Sequence, residues 1–279
     1  MKRFAILGYP LGHTMSPPIH QRLFELSGQQ AEYEVLQTPP EQFGGLWPYL
    51  RQLDGFNITI PYKQQIIPFC ARLDETAQRY GAVNVVDCRD GGTGYNTDCV
   101  GFLHSLEGIP LSGEVLIAGA GGVGRMFAIE AARQGAAVTL AVRPSGLEKA
   151  RHLQAEMAQA VPNAAPVRVT TLESLPEQNG RYRWLINATP VGMYPNVEDL
   201  PLDPAVLPRC ENLFEAIYNP VQTKLMRLAR QAGCHVIGGM AMLVWQAVQA
   251  HQNWYGAAYR DEDIAALIRE MEAQLEAGK

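Results

Sequence analysis

Residues 114–118 read Glu-Val-Leu-Ile-Ala, and Gly119-Ala120-Gly121-Gly122-Val123-Gly124 follows at once. Arg125 and the apolar run Met126-Phe127-Ala128-Ile129 come next. This is a buried strand, a tight turn and a helix start, the context in which G-x-G-x-x-G cradles a dinucleotide. Gly119 permits the turn, Gly121 lets backbone approach a pyrophosphate, and Gly124 lets the helix pack on the strand. The turn sits in the middle of the chain. About a hundred residues precede it, enough for a separate domain that brings a substrate to the cofactor.

The chain has 279 residues, 47% apolar and 18% charged, with a net charge of -5. That length suits two domains with sizeable cores. The acidic balance argues against a nucleic-acid partner, which calls for a basic face. No apolar run approaches the roughly 20 residues that span a bilayer, so no membrane partner is expected. The segment Met1–Gly8 is too short in its apolar part for a signal peptide and reads as a first strand. Cys70, Cys88, Cys99, Cys210 and Cys234 are odd in number and lack C-x-x-C spacing. A disulfide framework and a metal site are therefore not expected, and reduced thiols in a cytoplasm are the simple reading.

The front of the chain mixes strands and helices. Lys2–Leu7, Tyr33–Leu36, Phe56–Ile60 and Val83–Val86 read as strands, and Asp90-Gly91-Gly92 as a turn. Ser16 precedes two prolines and the helically spaced Ile19, Leu23, Phe24 and Leu26. That predicts an N-cap at Ser16 with Pro17 at the first helical position. Phe43, Leu46, Leu50 and Leu53 suit another helix face. From Glu114 strands and helices alternate, the sign of a parallel sheet. Ala137–Val142, Trp184–Ala188, Asn212–Ile217 and Val236-Ile237 read as its strands. Pro220–Gly233, Met242–Trp254 and Glu262–Leu275 read as helices. A boundary is expected near Asp98–Gly101, with a crossing back near Gly238.

A chain that selects NAD usually ends its second Rossmann strand with a carboxylate for the ribose 2′-hydroxyl. Here that place holds Ala141-Val142-Arg143-Pro144-Ser145. Arg143 could meet a 2′-phosphate through a charge-assisted fork, which favours NADP; a solvated strand-end arginine is the other reading, and NAD stays possible.

Short stretches outside the glycine-rich turn converge. They are Gly12-His13-Thr14-Met15-Ser16-Pro17, Asn57-Ile58-Thr59-Ile60-Pro61-Tyr62-Lys63, Gly81-Ala82-Val83-Asn84 and Asn96-Thr97-Asp98. After the turn come Asn187-Ala188-Thr189-Pro190-Val191-Gly192-Met193, then Tyr218-Asn219-Pro220, then Gly239-Met240-Ala241-Met242-Leu243-Val244-Trp245-Gln246. In order and spacing the chain resembles the shikimate dehydrogenase family, including its quinate-using branch, from about Phe4 to Gly256.

The resemblance implies an α/β protein of two domains. Residues 1–100 would form a substrate-binding catalytic domain, with 239–279 packing back on it. Residues 101–238 would form a Rossmann-type NADP-binding domain, with a cleft between the two. The implied reaction is the reversible NADPH-dependent reduction of 3-dehydroshikimate to shikimate, in the chorismate route to aromatic amino acids. Lys63 and Asp98 match the family's catalytic pair. Thr14, Ser16 and Tyr218 match groups on the substrate carboxylate, and Thr59, Asn84 and Gln246 those on the ring hydroxyls. Gly119, Ala120, Gly121, Gly122, Val123, Gly124 and Arg143 match the dinucleotide site, and Asn187, Thr189 and Gly239 the nicotinamide pocket. The chain departs from the family pattern at Thr14, where serine is usual, and at Pro144, Leu147 and Gly238. The implied assembly is a monomer or homodimer.

Residue chemistry fits this picture. Hydride transfer to a ketone needs a proton for the developing alkoxide. Lys63 is the only lysine between Lys2 and Lys149; on chemistry alone a surface role is the plainer reading, because lysine is rarely buried unpaired. Asp98 could equally cap the helix that holds Phe102 and Leu103. His13 and His20 are read as a loop-packing and a helix-face residue, since the lysine–aspartate pair already supplies the proton chemistry. Two other readings stay open: a related oxidoreductase acting on quinate or with NAD, and a dinucleotide-binding regulator without turnover.

Overall fold

A computed structural model describes residues 1–12, 14–177 and 179–278. The chain divides into two compact units. One comprises Met1–Leu103 and Leu243–Gln274; the other comprises His104–Met242 and the chain end from Leu275.

The first unit opens with β1 (Lys2–Gly8), whose Phe4–Leu7 are all buried because β1 lies inside its sheet. α1 (Ser16–Ser27) buries Ile19, Leu23 and Phe24 at helical spacing. Ser16 is not the N-cap: Met15 holds that position, and no side chain caps the helix. The prolines explain the shift. Pro17 and Pro18 have no N–H to give a serine cap. The first available amide, Ile19 N–H, donates to Met15 O at 3.2 Å, so the helix starts one residue early. β2 (Ala31–Gln37) and α2 (Pro40–Leu50) follow. Then come β3 (Gly55–Ile58), β4 (Arg72–Leu73) and α3 (Glu75–Tyr80), whose Asp74 cap accepts from Ala77 N–H. β5 (Val85–Asp87), β6 (Thr93–Tyr95) and α4 (Asp98–Ser105) complete the front segment. The sheet order is β2-β1-β3-β5-β6-β4. β1 runs parallel to β2 and β3, whereas β5 is antiparallel to β3 and β6.

The second unit holds β7 (Glu114–Ala118), α5 (Gly122–Arg133), β8 (Ala137–Val142) and α6 (Leu147–Ala160). β9 (Arg168–Thr171), β10 (Tyr182–Asn187), β11 (Cys210–Glu215), α7 (Lys224–Gln231) and β12 (His235–Ile237) follow. α7 is shorter than the expected Pro220–Gly233 helix, because Thr223 Oγ1 accepts from Met226 N–H and starts it at Lys224. All six strands are parallel, in the order β12-β11-β10-β7-β8-β9. Counted from β7 this is 3-2-1-4-5-6, the doubly wound order that binds dinucleotides where the strand order reverses. The reversal lies between β7 and β10. Phe127 of α5 meets Phe214 of β11 edge-on, with centroids 5.6 Å apart, and fixes helix on sheet.

The last helices are α8 (Gly239–Tyr255) and α9 (Asp261–Ala277). From Leu243 onward α8 belongs to the first unit. There Trp254 Nε1 donates to Val86 O at 2.9 Å. A Cβ on Gly55 would lie 2.3 Å from that indole nitrogen, so glycine is required under the ring. No helix among the described residues is long and apolar enough to cross a membrane.

Candidate active site

In the first unit Thr59 follows the end of β3, and its carbonyl accepts from Tyr62 N–H at 3.0 Å. That turn delivers Lys63, whose own carbonyl accepts from Val83 N–H at 2.7 Å. Lys63 is thereby tied to the segment that carries Asn84 into β5. Lys63 Nζ donates to Asp98 Oδ2 at 2.6 Å. Asn84 Nδ2 donates to the other oxygen, Oδ1, at 2.8 Å. Asp98 opens α4, and its amide donates to Asn96 Oδ1 at 3.2 Å. The surface reading of Lys63 is thus overturned: its side chain is 26% exposed and Asp98's is 16%.

Gln246 reaches the same cluster from α8. Its Nε2 donates to Leu243 O at 2.8 Å, which leaves Oε1 facing Asn84 Nδ2 and Thr97 Oγ1, each 3.5 Å away. Lys63, Asp98, Asn84 and Gln246 therefore form one connected polar group. Beside a bound polyol, its amide oxygens and its amine offer both acceptors and donors.

Thr14 and Ser16 pair with each other instead: Ser16 N–H donates to Thr14 Oγ1 at 3.2 Å. Ser16 is buried. Tyr33 OH donates to Asn57 Oδ1 at 2.7 Å. His20 stacks on Tyr33 at 4.2 Å between centroids. Its Nδ1 lies 2.9 Å from His251 Nε2. Burial pushes His20 down to about 3 and also lowers His251, so both rings stay neutral at ordinary pH. His20 is a packing residue, in accord with the helix-face expectation. His13 lies outside the described residues.

In the second unit each glycine of the turn has a distinct geometry. Gly119 has φ +104°, a value that favours glycine, and a Cβ on it would come within 3.1 Å of Thr189 Cγ2. A Cβ on Gly124 would sit 2.5 Å from Gly119 O, so only glycine lets α5 pack here. Gly121, the N-cap of α5, and Gly122 have open space where a Cβ would project. Ala120 and Val123 complete the loop. The first amides of α5 and its dipole make an anion site, which suits a pyrophosphate. These residues fit a dinucleotide. Arg143 stands exposed just past β8, and among the described residues its guanidinium makes no hydrogen bond or ion pair.

Asn187 ends β10, on the far side of the strand-order reversal. Its Oδ1 accepts from Thr189 N–H at 3.0 Å and from Thr189 Oγ1 at 2.8 Å. Its Nδ2 donates to Glu215 Oε1 at 2.9 Å. Gly239 begins α8 against the end of β11: a Cβ there would lie 2.5 Å from Ala216 O. Tyr218 follows β11, half-buried, and burial raises its phenol above the ordinary value.

Sequence reading misses Thr97, Tyr33, Asn57 and Glu215. Thr97 N–H donates to Asn84 Oδ1 at 2.7 Å and orients that amide. Thr97 and Asn57 stand inside recognisable motifs, yet their neighbours draw the attention. Glu215 has a legible signal: a carboxylate inside Leu213-Phe214-Glu215-Ala216-Ile217, where a parallel strand should be apolar throughout. Tyr33 has none.

The model of the shikimate dehydrogenase substrate binding domain matches residues 6–86. A shikimate dehydrogenase (NADP(+)) of Shouchella clausii is 34% identical over 276 residues, 96% of this chain and 98% of that one. One of Symbiobacterium thermophilum is 36% identical over 262 residues, covering 90% and 88%. Among solved structures, the shikimate 5-dehydrogenase of Thermus thermophilus in complex with NADP(H) and shikimate superposes with a TM-score of 0.83. It is 33% identical, with 97% of this chain and 100% of that chain covered. The relatives match almost end to end, through both units, and so the chain belongs to the shikimate dehydrogenase family.

Proposed function

We propose that this protein is a shikimate dehydrogenase in which Lys63 and Asp98 handle the proton that accompanies reversible, NADP-dependent reduction of 3-dehydroshikimate. The observation that carries the assignment of roles is the 2.6 Å contact from Lys63 Nζ to Asp98 Oδ2, with Asn84 on the other oxygen. When bound, NADPH supplies the hydride and NADP+ takes it up.

The chain's own groups then divide the rest of the work. In the reducing direction charge develops on the carbonyl oxygen, and Lys63 donates a proton to it. In the oxidising direction Lys63 receives the hydroxyl proton and passes it to water. Asp98, gripped by Asn84 through one oxygen, holds the amine on its other and fixes its direction. Thr59, Asn84 and Gln246 take the ring hydroxyls; Gln246 offers Oε1 because its amide nitrogen is committed to Leu243 O. Thr14, Ser16 and Tyr218 take the carboxylate. The Gly119–Gly124 loop would hold the pyrophosphate, Arg143 would meet the 2′-phosphate, and Asn187, Thr189 and Gly239 would line the nicotinamide pocket.

The test is initial-rate kinetics with shikimate or quinate against NADP+ or NAD+, followed by nicotinamide absorbance. Shikimate with NADP+ should have the highest kcat/KM of the four. Dominance of quinate or NAD+ would sink the substrate or cofactor assignment, and NADP+ binding without turnover would sink the enzymatic reading.

A further inference from the structure

We infer that Glu215 is a positioning residue for the nicotinamide end of the cofactor, acting through Asn187 and the Ile217–Tyr218 turn. The inference rests on the proposed placement of the nicotinamide at the ends of β10 and β11.

Glu215 is completely buried at the last position of β11. Its carboxyl gathers three donors from three segments. Asn187 Nδ2 donates to Oε1 at 2.9 Å, from the end of β10. Ile217 N–H donates to the same oxygen at 3.2 Å, from the turn after β11. Thr223 Oγ1 donates to Oε2 at 3.0 Å, from the cap of α7. Burial pushes the carboxyl up to about 7, against the pull of these three neutral donors, and among the described residues no ion pair to it is found.

The consequences run outward to every group assigned to the nicotinamide pocket. With Nδ2 held by Glu215, Asn187 can present only Oδ1 to Thr189, which sets the Asn187–Thr189 turn. That turn is what a Cβ on Gly119 would strike, at Thr189 Cγ2 and at Ala188 O. The Ile217 bond fixes the backbone that leads to Tyr218. It also fixes the Ala216 carbonyl, against which Gly239 packs. One carboxyl thus sets Asn187, Thr189 and the floor under Gly239, without itself reaching solvent. A buried carboxyl is costly unless it is hydrogen-bonded, and these three bonds tie segments that an apolar side chain would leave unlinked.

The test compares two ligands on three proteins by calorimetry. NADP+ carries the nicotinamide; adenosine 2′,5′-bisphosphate carries the adenosine and the 2′-phosphate without it. Glu215→Leu strands three buried donors, and its NADP+ affinity should fall by ~10-fold or more. Its affinity for adenosine 2′,5′-bisphosphate should stay within about twofold of wild type, since the lost bonds lie at the nicotinamide end. Glu215→Gln keeps Oε1 as an acceptor and should restore most of the NADP+ affinity. Equal losses for both ligands, or none for either, would overturn the inference. If Glu215→Leu does not fold, Glu215→Asp decides: its carboxyl, one methylene shorter, cannot span Asn187 and Thr223, and the same split should appear in smaller measure. Absence of that split in Glu215→Asp would also overturn it. Failure of the wild-type protein to bind NADP+ would instead refute the dinucleotide reading on which the inference stands.

Discussion

Each unit holds a carboxylate that gathers donors, Asp98 in one and Glu215 in the other, and the two are treated in opposite ways. Asp98 is joined to an amine, and both side chains keep some contact with solvent, 16% and 26% exposed. Glu215 is sealed, forms no ion pair among the described residues and receives three neutral donors. The contrast suits the roles proposed for the two groups. A pair that trades a proton with a reactant needs a route to it, and the charge it develops needs a partner. A group that only holds neighbours in place can lie inside the fold, where its bonds are short of competing water. Burial then drives it towards neutrality, as the rise to about 7 records.

The sharpest way to break this contrast is at Lys63. Lys63→Ala should lower kcat by about 100-fold or more, the scale for losing a general acid or base. NADP+ affinity should persist, because the residues proposed to hold the dinucleotide lie in the other unit. Near-normal turnover in the variant would remove Lys63 from the chemistry and leave its ion pair with Asp98 as architecture.

A second test asks how rigid the cofactor unit is. Gly124→Ala places a Cβ 2.5 Å from the Gly119 carbonyl. Backbone must move, which should cost about 1–3 kcal/mol in the denaturant stability of that unit. Gly122→Ala projects into open space and should leave stability unchanged, or raise it slightly through helix propensity. Equal effects at the two positions would mean that α5 does not pack as described.

The same comparison shows where sequence reading works. The glycine-rich turn is legible because backbone geometry imposes it: Gly119 needs a positive φ and Gly124 a missing Cβ. Five strands of the second unit are legible as apolar runs, with ends off by at most two residues; β9 at the sheet edge, Arg168–Thr171, is polar and only part-buried and is missed. Lys63 is legible only through motif order; its residue type alone points to a surface. Ser16 misleads as a cap because serine preference takes no account of two prolines that supply no amide. Thr97 stays hidden, and Glu215 shows only as a carboxylate in an apolar strand without a sign of what it holds, for a physical reason. Each acts through a neighbour far along the chain, Asn187 at 28 residues and Asn84 at 13, and local patterns do not encode such pairings.

The buried groups also predict opposite responses to acid. His20 is neutral in the fold, its value lowered from 6.5 to about 3. The first unit therefore keeps this contribution above pH 6.5 and loses it as pH falls towards 3. The loss is at most ~1.4 kcal/mol per pH unit for one proton. Glu215 is raised from 4.5 to about 7. Its contribution is fullest below pH 4.5 and is lost as pH rises to 7. Between pH 6.5 and 4.5, acidification should thus loosen the first unit and tighten the second at these two positions. Peptide-resolved hydrogen exchange on α1 and α8 against β10 and β11, corrected for intrinsic rates, would show the divergence. His20→Phe should reduce the first slope and Glu215→Gln the second. Parallel responses that neither variant changes would sink the assignment of these groups.

The smallest effect is expected at Arg143, the side chain proposed to meet the 2′-phosphate. Its guanidinium is exposed and among the described residues has no partner that would hold it in place. A 2′-phosphate would meet it in water, where a charge-assisted contact is worth little beyond ~1 kcal/mol, or about fivefold in affinity. Arg143→Ala should therefore weaken NADP+ by that modest factor and leave NAD+ unchanged. The added dependence on salt should disappear with it, since screening acts on exposed charges. Equal losses for both dinucleotides would mean that Arg143 does not read the phosphate. Cofactor preference would then have to rest on other groups near the end of β8.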